Sequence, residues 1–350
     1  MTRRYKRREF LKGLGFLGAG ALAGSLASRI AEAYSVPQVE RIVSPRHPDF
    51  TADVIVYRDG EYAVAVDSKG NTIARSTDHA SVLSKAISVG DRIVILDELI
   101  LDTAVSLRSN IIIDGYGKGV LKPSTTFADT KLLYAYGSDT QYVENIKIRD
   151  LIFDGNGLDI ILLHFHHVRK LVIRNNEFKN TATTSNDFSA ILIEDTSKSL
   201  TKGYGEEIEI VDNYFHDLGG HAMKLINPIT YAMIERNRFI NINLHAVYVA
   251  PHPNDWTSKF YYLLVNSNIA DTYKAMWCAQ GEKVVFSNNV LKNASAEAID
   301  IERDVYDFVI ANNVIENALV GISLLKVNDG TLDHAPIHGI IIGNTIRNTK

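Results

Sequence analysis

Val172-Ile-Arg-Asn-Asn-Glu-Phe178 sets two apolar residues before a polar pair ending in Asn, and places another apolar residue two positions on. The same pattern returns as Ile208-Glu-Ile-Val-Asp-Asn-Tyr-Phe215, Ala232-Met-Ile-Glu-Arg-Asn-Arg-Phe239 and Leu264-Val-Asn-Ser-Asn-Ile269. It returns again as Val285-Phe-Ser-Asn-Asn-Val-Leu291, Phe308-Val-Ile-Ala-Asn-Asn-Val-Ile315 and Ile340-Ile-Ile-Gly-Asn-Thr-Ile346. An earlier copy, Ile146-Lys-Ile-Arg-Asp-Leu-Ile152, puts Asp150 where the others carry Asn. The column is Asp150, Asn176, Asn213, Asn237, Asn268, Asn289, Asn313 and Asn344, at intervals of 21 to 37 residues. Self-similarity at periods of roughly 20–50 residues marks a solenoid, propeller or array. Short β-type strands at irregular spacing, with no helical period between them, predict an all-β parallel β-helix.

A second motif follows each column member from Asp150 to Asn313. It reads Asp159-Ile-Ile-Leu-Leu-His164, Ser189-Ala-Ile-Leu-Ile-Glu194, His221-Ala-Met-Lys-Leu-Ile226 and His245-Ala-Val-Tyr-Val-Ala250. Lys274-Ala-Met-Trp-Cys-Ala279, Glu297-Ala-Ile-Asp-Ile-Glu302 and Val320-Gly-Ile-Ser-Leu-Leu325 continue it. The third and fifth columns are apolar, so with a strand period of two they face inward and carry Cys278 into the core. The fourth column then faces outward and stacks about 4.8 Å apart from rung to rung, and the first column and the sixth (His164, Glu194 and Glu302) are read with it as carrying the outward chemistry. Both motifs in this order resemble the right-handed parallel β-helix of the pectate lyase-like superfamily, as does the early coil Ser106-Leu-Arg-Ser-Asn-Ile-Ile-Ile-Asp-Gly115. The resemblance implies a buried Asn ladder at the turn between the second and third sheets. It also implies a saccharide groove on the outer face of the first.

Three segments are expected. Residues 1–33 hold seven basic and two acidic residues, and Gly13 to Ser28 carries no charge. Arg7-Arg8-Glu9-Phe10-Leu11-Lys12 resembles the twin-arginine export signal, and Ala31-Glu32-Ala33 has cleavage-site spacing, so secretion or a cell-envelope location is expected. The alternative is an uncleaved anchor; after signal removal no transmembrane span is expected. Residues 34–104 are read as a small N-terminal α/β cap, with a hairpin at Arg58-Asp59-Gly60 and a helix begun by Asp78 that buries Val82, Leu83, Ala86 and Ile87. Residues 105–350 are the β-helix, and the coil at Asn344 is read as an open edge through which the chain could form an oligomer.

Beyond residue 33 the chain has 30 basic and 39 acidic residues, too acidic for general nucleic-acid binding. Its single Cys excludes disulfide frameworks and cysteine-based metal sites. The middle rungs concentrate chemistry on one outward strip: His221, Lys224, His245, Tyr248, Lys274, Trp277, Glu297, Asp300 and Glu302. Aromatic faces beside charges suit a polysaccharide, and Trp277, Lys274 and Glu297 are the expected substrate contacts. Loops at Pro251–Trp256 and Asp195–Glu206 would flank the strip. In His164-Phe-His-His167 the histidines are read as turn and surface residues. The Trp-Ile-Asp-His and Arg-x-Pro-x-x-Arg motifs of the best-known pectate lyases do not occur, nor does the Asp-Asp pair of polygalacturonases.

Three functions fit. A polysaccharide lyase acting on a uronate needs a base, here Lys224, His221, His245 or Tyr248, and a cation such as Lys274 or bound Ca2+ to neutralise the carboxylate. An inverting glycoside hydrolase would use Asp300 and Glu302, whose Cα atoms lie about 6.6–6.8 Å apart on one strand face. A non-catalytic envelope or adhesion protein would only bind glycan.

Overall fold

The computed structural model describes residues 51–138, 140–182, 188–194, 205–226, 228–251, 259–328 and 333–349. The export segment and most of both flanking loops lie outside these residues.

Val54–Asp59 and Tyr62–Asp67 pair antiparallel through a turn at Gly60 (φ 65), and Thr72–Ser76 adds a third antiparallel strand. Helix α1 (His79–Val89) starts where the Asp78 carboxylate accepts the Ser81 amide at 3.0 Å, satisfying one orphan N–H of the first turn. Its buried face includes Val82, Leu83, Ala86 and Ile87. Val54–Asp59 also pairs in parallel with Arg92–Ile95, which pairs with Ile111–Asp114, so the parallel ladder reaches upstream of residue 105.

From there the chain winds as a right-handed β-helix of three parallel ladders. One coil shows the plan: His221–Ile226 lies in the first sheet, Ala232–Glu235 in the second and Arg238–Ile242 in the third. His245–Ala250 then returns to the first sheet beside His221–Ile226. The interior is continuous and apolar, including a file of Phe153, Phe178, Phe215 and Phe239 stacked at 5.0, 4.7 and 5.0 Å. Cys278 is fully buried in it, and burial pushes its thiol pKa up.

The Asn column is a ladder at the turn from the second to the third sheet. Each side-chain oxygen accepts the backbone N–H of the preceding column member, from Asn213 to Asn176 at 3.0 Å through Asn344 to Asn313 at 2.9 Å. Each Nδ2 donates to a carbonyl of the preceding coil, as Asn237 does to Ile210 at 2.8 Å. The expected first member is off by one. Leu151 occupies the column, its N–H bonded to Asn176 Oδ1 at 3.1 Å, while Asp150 sits in the left-handed position before it (φ 58). Asn175, Asp212, Arg236, Ser267, Asn288, Asn312 and Gly343 hold that same position in later coils, a conformation that Asn, Asp and Gly tolerate best.

A second ladder runs along the turn from the third sheet back to the first, on the surface. Asn241 donates to Asp217 at 2.7 Å, Asn293 to Asp271 at 3.1 Å, Asn317 to Asn293 at 3.1 Å and Asn348 to Asn317 at 3.2 Å. In the last described rung Ile340, Ile341, Ile342 and Ile346 are exposed. No helix among the described residues is long and apolar enough to cross a membrane.

Candidate active site on the first sheet

Parallel pairing fixes what lies beside what on the outer face. The fourth column runs Leu192, Lys224, Tyr248, Trp277, Asp300 and Ser323 on consecutive rungs, in the expected register. One rung earlier the expectation fails. His164, not Leu162, pairs with Leu192, and Tyr134 pairs with His164. Leu162 is fully buried. The shift comes from Gly155-Asn156-Gly157: the third-sheet ladder breaks register between Asp154 and Leu158, with Asn156 and Gly157 at positive φ. This irregularity displaces the following strand by two residues.

Two clusters result on one sheet face, with the Ser189–Ile193 strand between them. In the downstream cluster, the His221 and His245 rings stack at 5.1 Å and Tyr248 lies 4.7 Å from His221 and 5.1 Å from His245. Trp277 stacks on Tyr248 at 4.4 Å, and the Lys224 ammonium stands 5.8 Å from the Tyr248 ring centre. His221 Nδ1 faces both the His245 backbone N–H (3.4 Å) and His245 Nδ1 (3.3 Å). Since the backbone group can only donate, His221 Nδ1 is assigned as the acceptor, which puts the proton of His245 on Nδ1 and leaves its Nε2 a lone pair.

Burial, with the charges of His221 and Lys274 adding, pulls the His245 pKa down to about 2, so its ring is neutral. Burial, then the Glu302 carboxylate, pushes Tyr248 up to about 12, so the phenol keeps its proton. Lys274 is already ion-paired with Glu297 at 2.9 Å. Asp300 is 5% exposed, hydrogen-bonded to Ser323, and its carboxyl is in hydrogen-bond contact with that of Glu302. Burial first, then the Glu302 charge, raises Asp300 to about 7. The two carboxyls therefore do not stand apart as an inverting pair requires, about 6.5–9.5 Å.

These shifts carry a stability test. Asp300 holds a proton in the folded chain from its ordinary 3.8 up to about 7, so its contribution is complete below pH 3.8 and is lost as pH rises to about 7. His245 is depressed from 6.5, so its contribution is complete above pH 6.5 and is lost as pH falls. Between pH 4 and 6.5 the two slopes oppose and the wild type is close to flat on their account. Asp300→Asn is expected to unmask a rise of stability with pH, and His245→Gln a fall. Denaturant midpoints at pH 4.5, 5.5 and 6.5 check this; parallel curves for all three proteins would refute it.

The upstream cluster departs from the expectation of turn and surface histidines at all three positions. His164 (8% exposed) and half-buried His166 lie on the strand Ile161–His166; His167 alone sits in the turn, buried at φ 48. His164 Nδ1 meets the Tyr136 hydroxyl at 2.8 Å, and its Nε2 faces His166 Nε2 at 2.9 Å and Glu194 Oε1 at 3.5 Å. Tyr136 stacks on His166 at 4.0 Å. Burial drives the Glu194 pKa upward, but the His164 hydrogen bond, with the charges of His164, Lys224 and His166, carries it below the ordinary value. The ligand atoms of His164, His166 and Glu194 lie within 4.8 Å of one another, a set able to coordinate a metal ion.

No family model matches the sequence, and no curated protein matches it. Among solved structures, it is similar to the A-module of mannuronan C-5 epimerase AlgE4 of Azotobacter vinelandii at 11% identity, with TM-score 0.36, covering 74% of this chain and 88% of that one. A tailspike protein mutant of E. coli bacteriophage HK620 is 12% identical, with TM-score 0.43, over 79% of this chain and 65% of that one. The Streptococcus pneumoniae surface protein and adhesin PfbA is 12% identical, with TM-score 0.37, over 77% and 96%.

Proposed function

We propose that the protein is a polysaccharide lyase that cleaves a uronate-containing glycan by β-elimination on the outer face of the first sheet. The observation that carries this reading is the contact between a neutral imidazole with a free Nε2 (His245) and a protonated phenol (Tyr248), beside a Lys224 cation. Elimination needs those three functions: a base for the proton α to the carboxylate, an acid for the leaving oxygen, and a positive charge for the carboxylate.

In the step, His245 Nε2 takes the C5 proton and the C–H electrons form the C4–C5 double bond. The C4–O bond breaks, and Tyr248 gives its proton to the departing oxygen. His221 holds the His245 ring by the Nδ1 contact. A buried imidazole this acidic is a weak base, so His245 takes the proton in the same step in which Tyr248 protonates the departing oxygen and Lys224 holds the carboxylate. Lys224 neutralises the carboxylate in place of Lys274, whose charge Glu297 already matches. Trp277 extends the aromatic surface on which a neighbouring sugar stacks. Calcium, where the reaction uses it, would find hard oxygen donors at Asp300 and Glu302. Asp300 Oδ1 there is buried without a hydrogen-bond partner.

The carboxyl contact counts against the inverting hydrolase, since it leaves no room for the attacking water. The test is a panel of polyuronates and neutral polysaccharides incubated with the purified chain. The reading expects ultraviolet absorbance from an unsaturated uronate end on at least one polyuronate. New reducing ends without that absorbance would mean hydrolysis, and binding without either product would mean an adhesin.

A further inference from the structure

The upstream cluster has no part in that reaction. It stands two rungs before Lys224 and three before Tyr248 in the ladder, on the same face. Two ring nitrogens and a carboxylate oxygen converge there. His164 presents its Nε2 because its Nδ1 is engaged by the Tyr136 hydroxyl at 2.8 Å. A hydrogen bond from the far ring nitrogen to an oxygen is how metal-bound imidazoles are commonly oriented. His166 is held by its stack on Tyr136, and its Nε2 lies 2.9 Å from that of His164. Two nitrogens that close to each other can share one proton, or can both turn a lone pair to one ion. At metal–nitrogen distances of about 2.0–2.1 Å, a 2.9 Å separation subtends about 90°, within reach of a coordination sphere that relaxes slightly. Glu194, from the next strand, supplies the third donor.

The donor set selects the ion class. Calcium takes about six to eight oxygens, and this site offers one carboxylate. Two imidazoles with one carboxylate suit zinc and its transition-metal neighbours. We infer that His164, His166 and Glu194 form a binding site for one divalent transition-metal ion of the zinc class, with Tyr136 as the positioning residue behind His164. Three protein donors leave a coordination position open on the sheet face that carries the other cluster. The site stands on its own donors and does not require the lyase reading.

The test uses the full chain after dialysis against a chelator, titrated calorimetrically with zinc chloride alone and separately with calcium chloride. One zinc per chain is expected, unaffected by calcium at equal concentration. His166→Gln and Glu194→Gln are each expected to weaken zinc binding by at least about 100-fold. Tyr136→Phe, which keeps the stacked ring and removes only the hydroxyl, is expected to weaken it about 10–100-fold, the range for an outer-shell partner. His216→Gln, which alters a histidine bonded to Glu177 and Asp217 on the third sheet, should leave it unchanged. Cobalt loading gives an independent readout, visible absorption bands that vanish in His166→Gln, and circular dichroism shows that each variant keeps its β-sheet. Zinc binding by folded His166→Gln equal to wild type, the absence of a one-to-one isotherm in wild type, or equal competition by calcium would each overturn the assignment.

Discussion

Tyr248→Phe is expected to lower turnover of a polyuronate by at least about 100-fold, the low end of what general acid–base catalysis supplies. The substitution keeps the ring that stacks on Trp277 at 4.4 Å and lies over the histidine pair, so the groove surface survives and KM should change little. It removes the one proton that burial holds on the phenol to about pH 12. His245→Gln should cost a similar factor, and the double variant should cost little more than either single, because acid and base act in one step. Lys224→Ala should raise KM and also lower kcat, since the ammonium holds the carboxylate in the bound state and more strongly as negative charge builds on it while the C5 proton leaves. If Tyr248→Phe turns over like wild type, the phenol is not the acid.

Asn237→Ala is the largest expected loss of stability. Asn237 Oδ1 accepts the Asn213 backbone N–H at 2.9 Å and its Nδ2 at 3.0 Å. Its own Nδ2 donates to Ile210 O at 2.8 Å and Asn268 Oδ1 at 3.2 Å. Alanine strands a buried N–H and a buried carbonyl, each at about 1–3 kcal/mol, for a loss of about 2–6 kcal/mol. Asn241→Gly, on the exposed ladder, removes a bond that water replaces and keeps a residue suited to φ 54, so its cost should stay under about 1 kcal/mol. Urea unfolding of the two variants separates them; equal midpoints would mean that the buried ladder contributes no more than the surface one.

The fold was legible because each coil repeats the same physical constraint. An inward apolar pair and a turn that needs a side-chain amide after a left-handed residue leave columns that survive irregular spacing. The first rungs were misplaced for two local reasons. Asp150-Leu151 offers an Asp that resembles the ladder, but the left-handed position just before the ladder also favours Asp, and hydrogen bonding alone tells the two positions apart. The Gly155-Asn156-Gly157 irregularity then shifted the next strand by two residues, hiding that His164 belongs to the outward fourth column. The alternation of His164 and His166 with buried Leu163 and Phe165 was the signal that could have revealed it. The downstream strip was legible as a set of residues and its register held. What the sequence left open was contact: a Cα spacing on one strand does not say that the Asp300 and Glu302 carboxyls touch, or that Glu297 occupies Lys274.

The most direct test of the elimination reading is the fate of solvent oxygen. A polyuronate that the protein cleaves is incubated with it in water enriched in heavy oxygen, and the new ends are analysed at once by mass spectrometry, with a parallel sample correcting for slow exchange at the reducing end. Elimination breaks the C4–O bond without adding water, so neither new end should carry the label beyond that correction, and one should be lighter by the elements of water. One heavy oxygen incorporated per bond cleaved would contradict the account and assign the groove to a hydrolase.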